Sequence, residues 1–321
     1  MVDMCDLSPN APVVLDALTT LGLPRPRPVH PAIVSARASI EATLRSVLRL
    51  PDDALPRSWR WRGHDERIDV RYGLYRLFEI LEEATVAAMR AVTLLGGRPA
   101  DAGQILSQAT QARWDLHGLL FPLADDDLDR LPGGAEWALR ETLSHVIMVQ
   151  SRYTLNTAFW AFAAPTQDRT PPDPPDTPLT SRGQNAAWSA GTLLDLRARL
   201  DAMLDLAVGL LGDVDEAPRL DALGLWVDYA VTVRFRLHRF AAHLREHTIQ
   251  VEKTLAMLGR QPREVERIVR IILSAYGRLE ATVPCLPEGT LDREFGDGRS
   301  LAGLLAEITR EVATVAGSID A

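Results

Sequence analysis

The chain has 321 residues, of which 46% are hydrophobic and 24% charged, enough to build one large core or two smaller ones. The formal net charge of -8 argues against nonspecific nucleic-acid binding, which needs a basic face, and no apolar run reaches the length of a membrane span. The N-terminus carries acids where a signal peptide needs a basic flank, and two cysteines cannot form a disulfide framework, so we expect a cytoplasmic protein. Aromatic residues are few while alanine, leucine and arginine are abundant, which favours an all-α fold.

The pattern of apolar residues predicts eight helices in chain order. A proline-rich segment, residues 1–31, precedes them and cannot form a regular helix where it reads PRPRPVHP. The predicted helices cover residues 32–48, 68–95, 102–120, 136–162, 190–211, 223–258, 264–282 and 301–318. A stretch rich in proline and aspartate, residues 166–183, separates the fourth helix from the fifth. We interpret it as an insertion or crossover and not as a domain linker, because the helices on both sides need each other.

Three of the predicted helix pairs share a similar joint. Each joint has an apolar residue near a proline, then small or acidic residues, a leucine and an arginine. The joints are residues 48–59, 120–131 and 283–295. Aligning the helices that follow places Arg76, His145 and Glu307 at one equivalent position. Only the central copy has a histidine there.

Two histidines lie one helical turn apart in the sixth predicted helix. His243 and His247 are spaced i,i+4 and project from the same face, whereas His238 lies about 140° away and is not expected to join them. Such a pair is either solvated or bonded to a neighbour such as Glu246, or it supplies two ligands of a divalent metal that needs at least one more from elsewhere. His145, on an apolar face of the fourth helix, is by itself more typical of a buried core histidine.

The fourth and sixth helices together resemble a known family. The order is a helix with one histidine, a crossover, and a helix with H-x3-H, accompanied by the sequences LADDDLDRLP, ETLSHV and HRFAAHLREHTIQ and by Trp137. Over about residues 104–259 these features are similar to those of the DinB/YfiT-like four-helix bundles. The resemblance implies that His145, His243 and His247 hold a divalent cation. Zinc, nickel, manganese and iron are all compatible with three nitrogen ligands.

The resemblance also implies a metal-dependent enzyme that acts on a small molecule. Three protein ligands leave coordination positions open, as in catalytic sites. Relatives of this fold are S-transferases or isomerases that use a low-molecular-weight thiol such as mycothiol, bacillithiol or glutathione, and the Ala-, Arg- and Pro-rich composition favours mycothiol. A metal-dependent hydrolase with the same triad and a non-catalytic helical ligand-binding protein are the alternatives. We expect a monomer or homodimer without nucleic-acid or membrane partners.

Further site residues follow from helix geometry and from the implied thiol. Arg239 and Gln250 lie one turn before and about one turn after the histidine pair, so we predict that they act in catalysis. Arg236 and Arg152 are predicted to bind the thiol cofactor at the mouth of the pocket. His117, on the third predicted helix, either borders the site or has a structural role, and the structural role is the expectation.

The predicted domain organisation places the metal site in the centre of the chain. Residues 100–260 form the DinB-like four-helix bundle, with a helical hairpin before it at 32–99 and another after it at 261–321. The two outer hairpins lack the metal histidines. By analogy with the repeat, we expect them to pack together as a second, metal-free half.

Overall fold

The computed structural model describes residues 6–60, 68–163, 171–181, 185–296 and 298–319, and these are mostly helical. The α-helices in these ranges are α1 (Pro12–Thr20), α2 (Pro31–Val47), α3 (Val70–Leu94), α4 (Asp101–Leu120), α5 (Leu139–Phe162), α6 (Asn185–Ser189), α7 (Leu193–Leu211), α8 (Ala217–Leu220), α9 (Val233–Met257), α10 (Glu264–Glu280) and α11 (Leu301–Ile319). The short antiparallel hairpins are β1 (Ser58–Trp59) with β2 (Ile68–Asp69), β3 (Leu223–Trp226) with β4 (Tyr229–Thr232), and β5 (Glu294–Phe295) with β6 (Arg299–Ser300). For every predicted helix except the sixth, the first and last residues lie within three positions of the first and last residues of the corresponding observed helix.

Helices α4, α5, α7 and α9 form a four-helix bundle. α9 packs against α4 and α5, and α7 packs against the same two helices, so the four surround one core. Every helix of the four contributes fully buried leucines, namely Leu106, Leu143, Leu200, Leu237 and Leu244. These residues recur at helical spacing along each chain segment. The predicted all-α bundle is therefore confirmed.

Helices α2, α3, α10 and α11 form a second four-helix bundle. α11 packs against α2 and α3, and α10 packs against the same two helices. Their shared core contains Ile40, Leu77, Ile272 and Leu305, one from each helix. The expectation that the two outer hairpins pack together is therefore confirmed. The exact domain boundaries stay predictions.

The two bundles meet where α10 packs against α4. Gly277 on α10 faces Trp114 on α4, and a Cβ at Gly277 would lie 2.6 Å from the Trp114 Cβ. Tyr276 meets the same indole edge to face, with ring centroids 4.9 Å apart. Glycine at 277 is therefore what allows these two helices to approach so closely.

A buried ionic cluster crosses the interface between the bundles. Glu280 is only 1% exposed and accepts hydrogen bonds from Arg37 on α2, at 2.8 and 3.0 Å, and from Arg113 on α4. Trp114 Nε1 donates to the same carboxylate at 3.1 Å, and Asp205 on α7 accepts from both arginines. Burial alone would raise the pKa of Glu280, but the Arg37 and Arg113 guanidinium groups hold it below its usual value. The buried charges are therefore paired across four helices.

His117 extends this cluster and has the structural role assigned to it from the sequence. Its ring is fully buried, with Nε2 2.7 Å from Asp201 Oδ1 and Nδ1 accepting a hydrogen bond from Arg197 Nε at 3.1 Å. Because Nδ1 is an acceptor, the proton of the neutral ring lies on Nε2 and is donated to Asp201. Arg197 also pairs with Glu41 of α2 at 2.6 Å, so this part of the cluster again joins the two bundles. We call the eight residues the interbundle cluster: Arg37, Glu41, Arg113, His117, Arg197, Asp201, Asp205 and Glu280.

The first ten residues of the sixth predicted helix are not helical. Residues 223–232 form the β3–β4 hairpin, so the prediction of a helix from residue 223 was wrong. The sequence LGLWVDYAVT is rich in aromatic and β-branched residues, which fit a pleated strand even though no proline interrupts the pattern. Gly224 lies against Trp160, where a Cβ would come within 2.3 Å of the indole, and Val227 makes the turn with a φ of 55°. Thr232 then caps α9 by accepting a hydrogen bond from the backbone N–H of Phe235.

The N-terminal segment contains a helix that the prediction missed. α1 begins with Pro12 at its first position, where a proline is tolerated because that N–H has no intrahelical partner. The run PRPRPVHP follows α1 and is not helical until α2 begins, where His30 caps the helix through a hydrogen bond from the N–H of Ala32. Only the second half of the segment therefore behaves as its prolines predict.

Some sequence expectations fall partly or wholly outside the described residues. Of the predicted crossover at 166–183, the structure describes 171–181, and Cys5 is not covered. Cys285 is a free thiol in the core, and burial raises its pKa to about 12. None of the helices in the described part of the chain is long and apolar enough to cross a membrane.

Candidate metal centre

Three histidines converge between α5 and α9. His243 and His247 lie one turn apart on α9, and His145 lies on α5, which packs against it. The Nε2 of His243 is 3.0 Å from the Nε2 of His247 and 3.4 Å from the Nε2 of His145, and ligand atoms of all three lie within 4.8 Å of one another. Two nitrogens bound to one ion at 2.0–2.1 Å and a tetrahedral angle are about 3.3 Å apart. The three imidazoles are therefore spaced like ligands of a single cation.

The protonation of the three rings also fits a metal ligand set. His247 Nδ1 lies 2.7 Å from Gln250 Oε1, and since an amide oxygen only accepts, the ring proton is on Nδ1 and Nε2 presents its lone pair. Burial, aided by the two neighbouring imidazoles, lowers the pKa of His243 to about 2. Burial likewise lowers the pKa of His145 and of His247. Neutral imidazole is the form that binds metal, so the site is ready for a cation at neutral pH.

Local contacts fix the two helices that carry the ligands. Gln150 on α5 donates from Nε2 to the backbone carbonyl of Phe240 on α9 at 3.3 Å. Tyr153, two turns beyond His145 on α5, packs its ring edge-on against His243 with centroids 5.5 Å apart. Both contacts join α5 to α9 beside the triad and hold the histidines at their observed separation.

A cavity of about 550 Å³ borders the triad on the side of His145. Trp137 stands beside His145 with ring centroids 5.2 Å apart, and Met148 adds a second apolar wall. The remaining lining side chains are Arg140, Glu141, Ser144, Ala186 and Ser189. The cavity therefore gives an organic molecule room to reach His145, the one triad histidine that lines it. A larger groove of about 820 Å³ lies between α4, α9 and α10 and is lined by none of the three histidines.

Arg239, predicted as catalytic, is separated from the triad by Tyr153. Its Nη2 donates to Glu246 Oε2 at 3.0 Å, and its guanidinium stacks over the Trp226 ring at 5.0 Å. It also lies near Tyr153, the residue that packs on His243; burial raises the pKa of Tyr153, and the nearby Arg239 cation opposes that shift. The structure therefore places a cation next to the aromatic wall of the site. Gln250, the other predicted catalytic residue, orients His247 through the hydrogen bond described above.

The two predicted thiol-binding arginines are engaged with protein groups. Arg236 is 5% exposed, donates to Thr157 Oγ1 at 3.0 Å and stacks over Trp160 at 4.6 Å. Burial lowers the pKa of Arg236 to about 10. Arg152 donates to the backbone carbonyl of Thr180 at 3.0 Å. Their assignment to a thiol cofactor stays a prediction, and neither lines the 550 Å³ cavity.

Sequence reasoning missed two residues that support the site, Gln150 and Tyr153. The only signal for Gln150 is a polar residue that ends the apolar run VIMVQ, and nothing in the sequence shows which residue of α9 faces it. His238, by contrast, was correctly set apart: it lines a polar surface cleft with Asp101 and Arg234 rather than joining the triad.

Comparison with known proteins agrees with this geometry. Residues 108–251 match the sequence profile of the DinB superfamily, and the match includes all three histidines. No curated protein and no solved structure gives a match. The matched segment runs from within α4 to within α9 and so covers most of the first bundle. This segment is therefore similar to the DinB superfamily.

Proposed function

We propose that the chain is a metal-dependent enzyme, an S-transferase or isomerase that uses a low-molecular-weight thiol of the mycothiol type. The observation that carries the proposal is the convergence of three neutral imidazoles, with Nε2 separations of 3.0 and 3.4 Å, next to a cavity of about 550 Å³. Three protein ligands leave coordination positions free for a substrate, unlike a closed structural site. The match of residues 108–251 to the DinB superfamily supports the proposal.

The residues of this chain have distinct parts in the proposed chemistry. His145, His243 and His247 would hold a divalent cation such as zinc, nickel, manganese or iron. When bound, the cation supplies a Lewis acid that lowers the pKa of a coordinated thiol or water. Gln250 keeps the proton of His247 on Nδ1 and so keeps Nε2 available for coordination. Arg239, which does not line the 550 Å³ cavity, is the cation that would receive a carboxylate of a substrate extending past Trp226, in exchange for the half-exposed carboxylate of Glu246.

The size and lining of the cavity suit an organic molecule, either the thiol or a substrate, and not water alone. One water needs only about 30 Å³, far less than the space beside His145. Trp137 and Met148 give that space apolar walls, which suit the carbon skeleton of a thiol or an electrophilic substrate. A hydrolase with the same triad is the alternative that the experiment must separate.

The first test is the metal content of the purified protein by mass spectrometry. We expect near-stoichiometric metal in the wild type and none in the double variant His145→Ala, His243→Ala. His238→Ala is the matched control, because it removes a histidine from the same helix outside the triad, and it should keep its metal. An absence of metal even after reconstitution with zinc, nickel and manganese would refute the enzyme proposal.

Cobalt substitution then distinguishes thiol from water. Adding mycothiol or glutathione to the Co(II)-loaded protein should produce a sulfur-to-cobalt charge-transfer band, because a coordinated thiol is deprotonated. A protein that binds cobalt, gives no such band and hydrolyses simple esters would be the hydrolase instead. The double variant His145→Ala, His243→Ala should give neither signal.

A further inference from the structure

Two buried polar atoms on facing helices lack hydrogen-bond partners among the described residues. One is Nδ1 of His243 on α9, and the other is Oε1 of Gln150 on α5. Gln150 is fully buried, and His243 is 5% exposed. Leaving a buried polar atom unpaired costs about 1–3 kcal/mol, so a glutamine at this position needs a reason beyond packing.

The hydrogen bond of the Gln150 amide fixes its orientation. Nε2 donates to the carbonyl of Phe240 at 3.3 Å, and a carbonyl cannot accept from Oε1, so the two amide atoms are not interchangeable. In an α-helix the carbonyl of residue 240 points along the axis toward the N–H of residue 244. The amide of Gln150 therefore lies at the level of His243 and Leu244, and its oxygen is the free acceptor at that level.

We infer that Gln150 is a positioning residue for His243: the two unpaired atoms become partners, with His243 Nδ1–H donating to Gln150 Oε1, when a cation occupies the triad. An amide oxygen only accepts, so this bond selects the tautomer with the proton on Nδ1 and the lone pair of Nε2 directed at His145 and His247. Metal-binding histidines almost always donate their other N–H in this way. The inference rests on the proposed metal function.

The arrangement of His247 supplies the precedent within the same site. Gln250 Oε1 already accepts from His247 Nδ1 at 2.7 Å. With Gln150, two of the three ligands would be held by glutamine oxygens, one from each of the two helices that build the site. In each case the glutamine sets the tautomer without adding a charge to the site.

The test compares metal affinities, measured by competition with a chromophoric chelator for zinc. Gln150→Leu removes the acceptor and should weaken zinc binding 10- to 100-fold, the usual effect of losing such a partner. Gln150→Glu should restore affinity to near wild type, because a protonated carboxyl can donate to Phe240 and still accept from His243. The matched control is Thr154→Val, which removes an equally buried polar group from α5 that bonds backbone carbonyls, and it should leave the affinity unchanged.

The outcomes separate this inference from the proposed function. Wild-type protein that binds zinc together with a Gln150→Leu variant that binds it equally well would overturn the inference and leave the metal site standing. Wild-type protein that takes up no cation would overturn both. If Gln150→Leu does not fold, a crystal structure of the zinc-loaded wild type decides. Nδ1 of His243 and Oε1 of Gln150 should then lie within about 3.2 Å, and a separation above about 3.5 Å would rule the bond out.

Discussion

The carboxylate of Glu280 is the centre of the interbundle cluster, and removing its charge should destabilise the whole chain. In Glu280→Gln the size of the side chain is kept, but two buried arginines lose the anion that they share. Arg113 is 1% exposed and Arg37 is largely buried, so neither guanidinium can recover its hydration without opening the interface. Breaking a buried ion pair by removing one partner costs about 3–5 kcal/mol. Asp205 remains as a second acceptor, which places the expected loss near the lower end, about 3 kcal/mol.

The loss is measured as the change in the free energy of unfolding from urea titrations followed by circular dichroism. Glu82→Gln is the matched control, because Glu82 pairs with Arg278 of α10 at 2.7 Å but is 52% exposed. Exposed pairs contribute about 0–1 kcal/mol, so this variant should unfold close to the wild type. Equal stability of Glu280→Gln and Glu82→Gln would show that the buried cluster does not hold the bundles together.

Three further predictions concern the metal site, the hairpin and the response to acid. Gln250→Leu should weaken zinc binding about 10- to 100-fold in a chelator competition, because His247 loses the acceptor at 2.7 Å that fixes its tautomer; unchanged affinity would contradict that role. Gly224→Ala should lower the melting temperature, since the new Cβ would lie 2.3 Å from the Trp160 ring, whereas Gly317→Ala, with no atom within 4 Å, should be tolerated. Burial lowers the pKa of His117, so below about pH 6.5 the unfolded chain takes up a proton that the folded chain refuses, and stability falls with acidification. Between pH 7 and 5.5 we expect His117→Gln to show a shallower pH dependence of unfolding than the wild type, because this contribution of His117 is removed.

Helices and metal histidines could be predicted from the sequence because both are marked by local patterns. The i,i+4 spacing of His243 and His247 fixes their common face whatever surrounds them, and the family resemblance supplies His145. The β3–β4 hairpin was not predicted, because its ten residues and the helix that follows form one uninterrupted, proline-free stretch. The aromatic and β-branched residues of this stretch were a local signal for strand, but the close approach of Trp160 to Gly224 is a tertiary contact that no local pattern reveals.

The interbundle cluster could not be predicted for a related reason. Arg37 and Glu280 are 243 positions apart, and each alone is an ordinary charged residue of an amphipathic helix. A charged side chain is normally placed on the solvent side of such a helix, because a lone buried charge is costly. Only when two bundles face each other do the charges compensate, so the pairing depends on the packing of the bundles and not on the sequence around either residue.

The segment that matches the DinB superfamily is completed by residues outside it. Residues 108–251 include Arg113 and His117 of α4, but Glu280, which partners Arg113, and Arg37, which also pairs with Glu280, lie beyond the two ends of the match. Without the second bundle, the Arg113 side chain would lose its Glu280 partner, and the apolar surface around it on the outer face of α4 would be exposed to water. α4 in turn packs against α9, the helix that carries two of the three metal ligands. The second bundle therefore covers the face of α4 that points away from α9 and pairs its buried charges. This is a physical reason for the histidine-free hairpins to belong to the same chain.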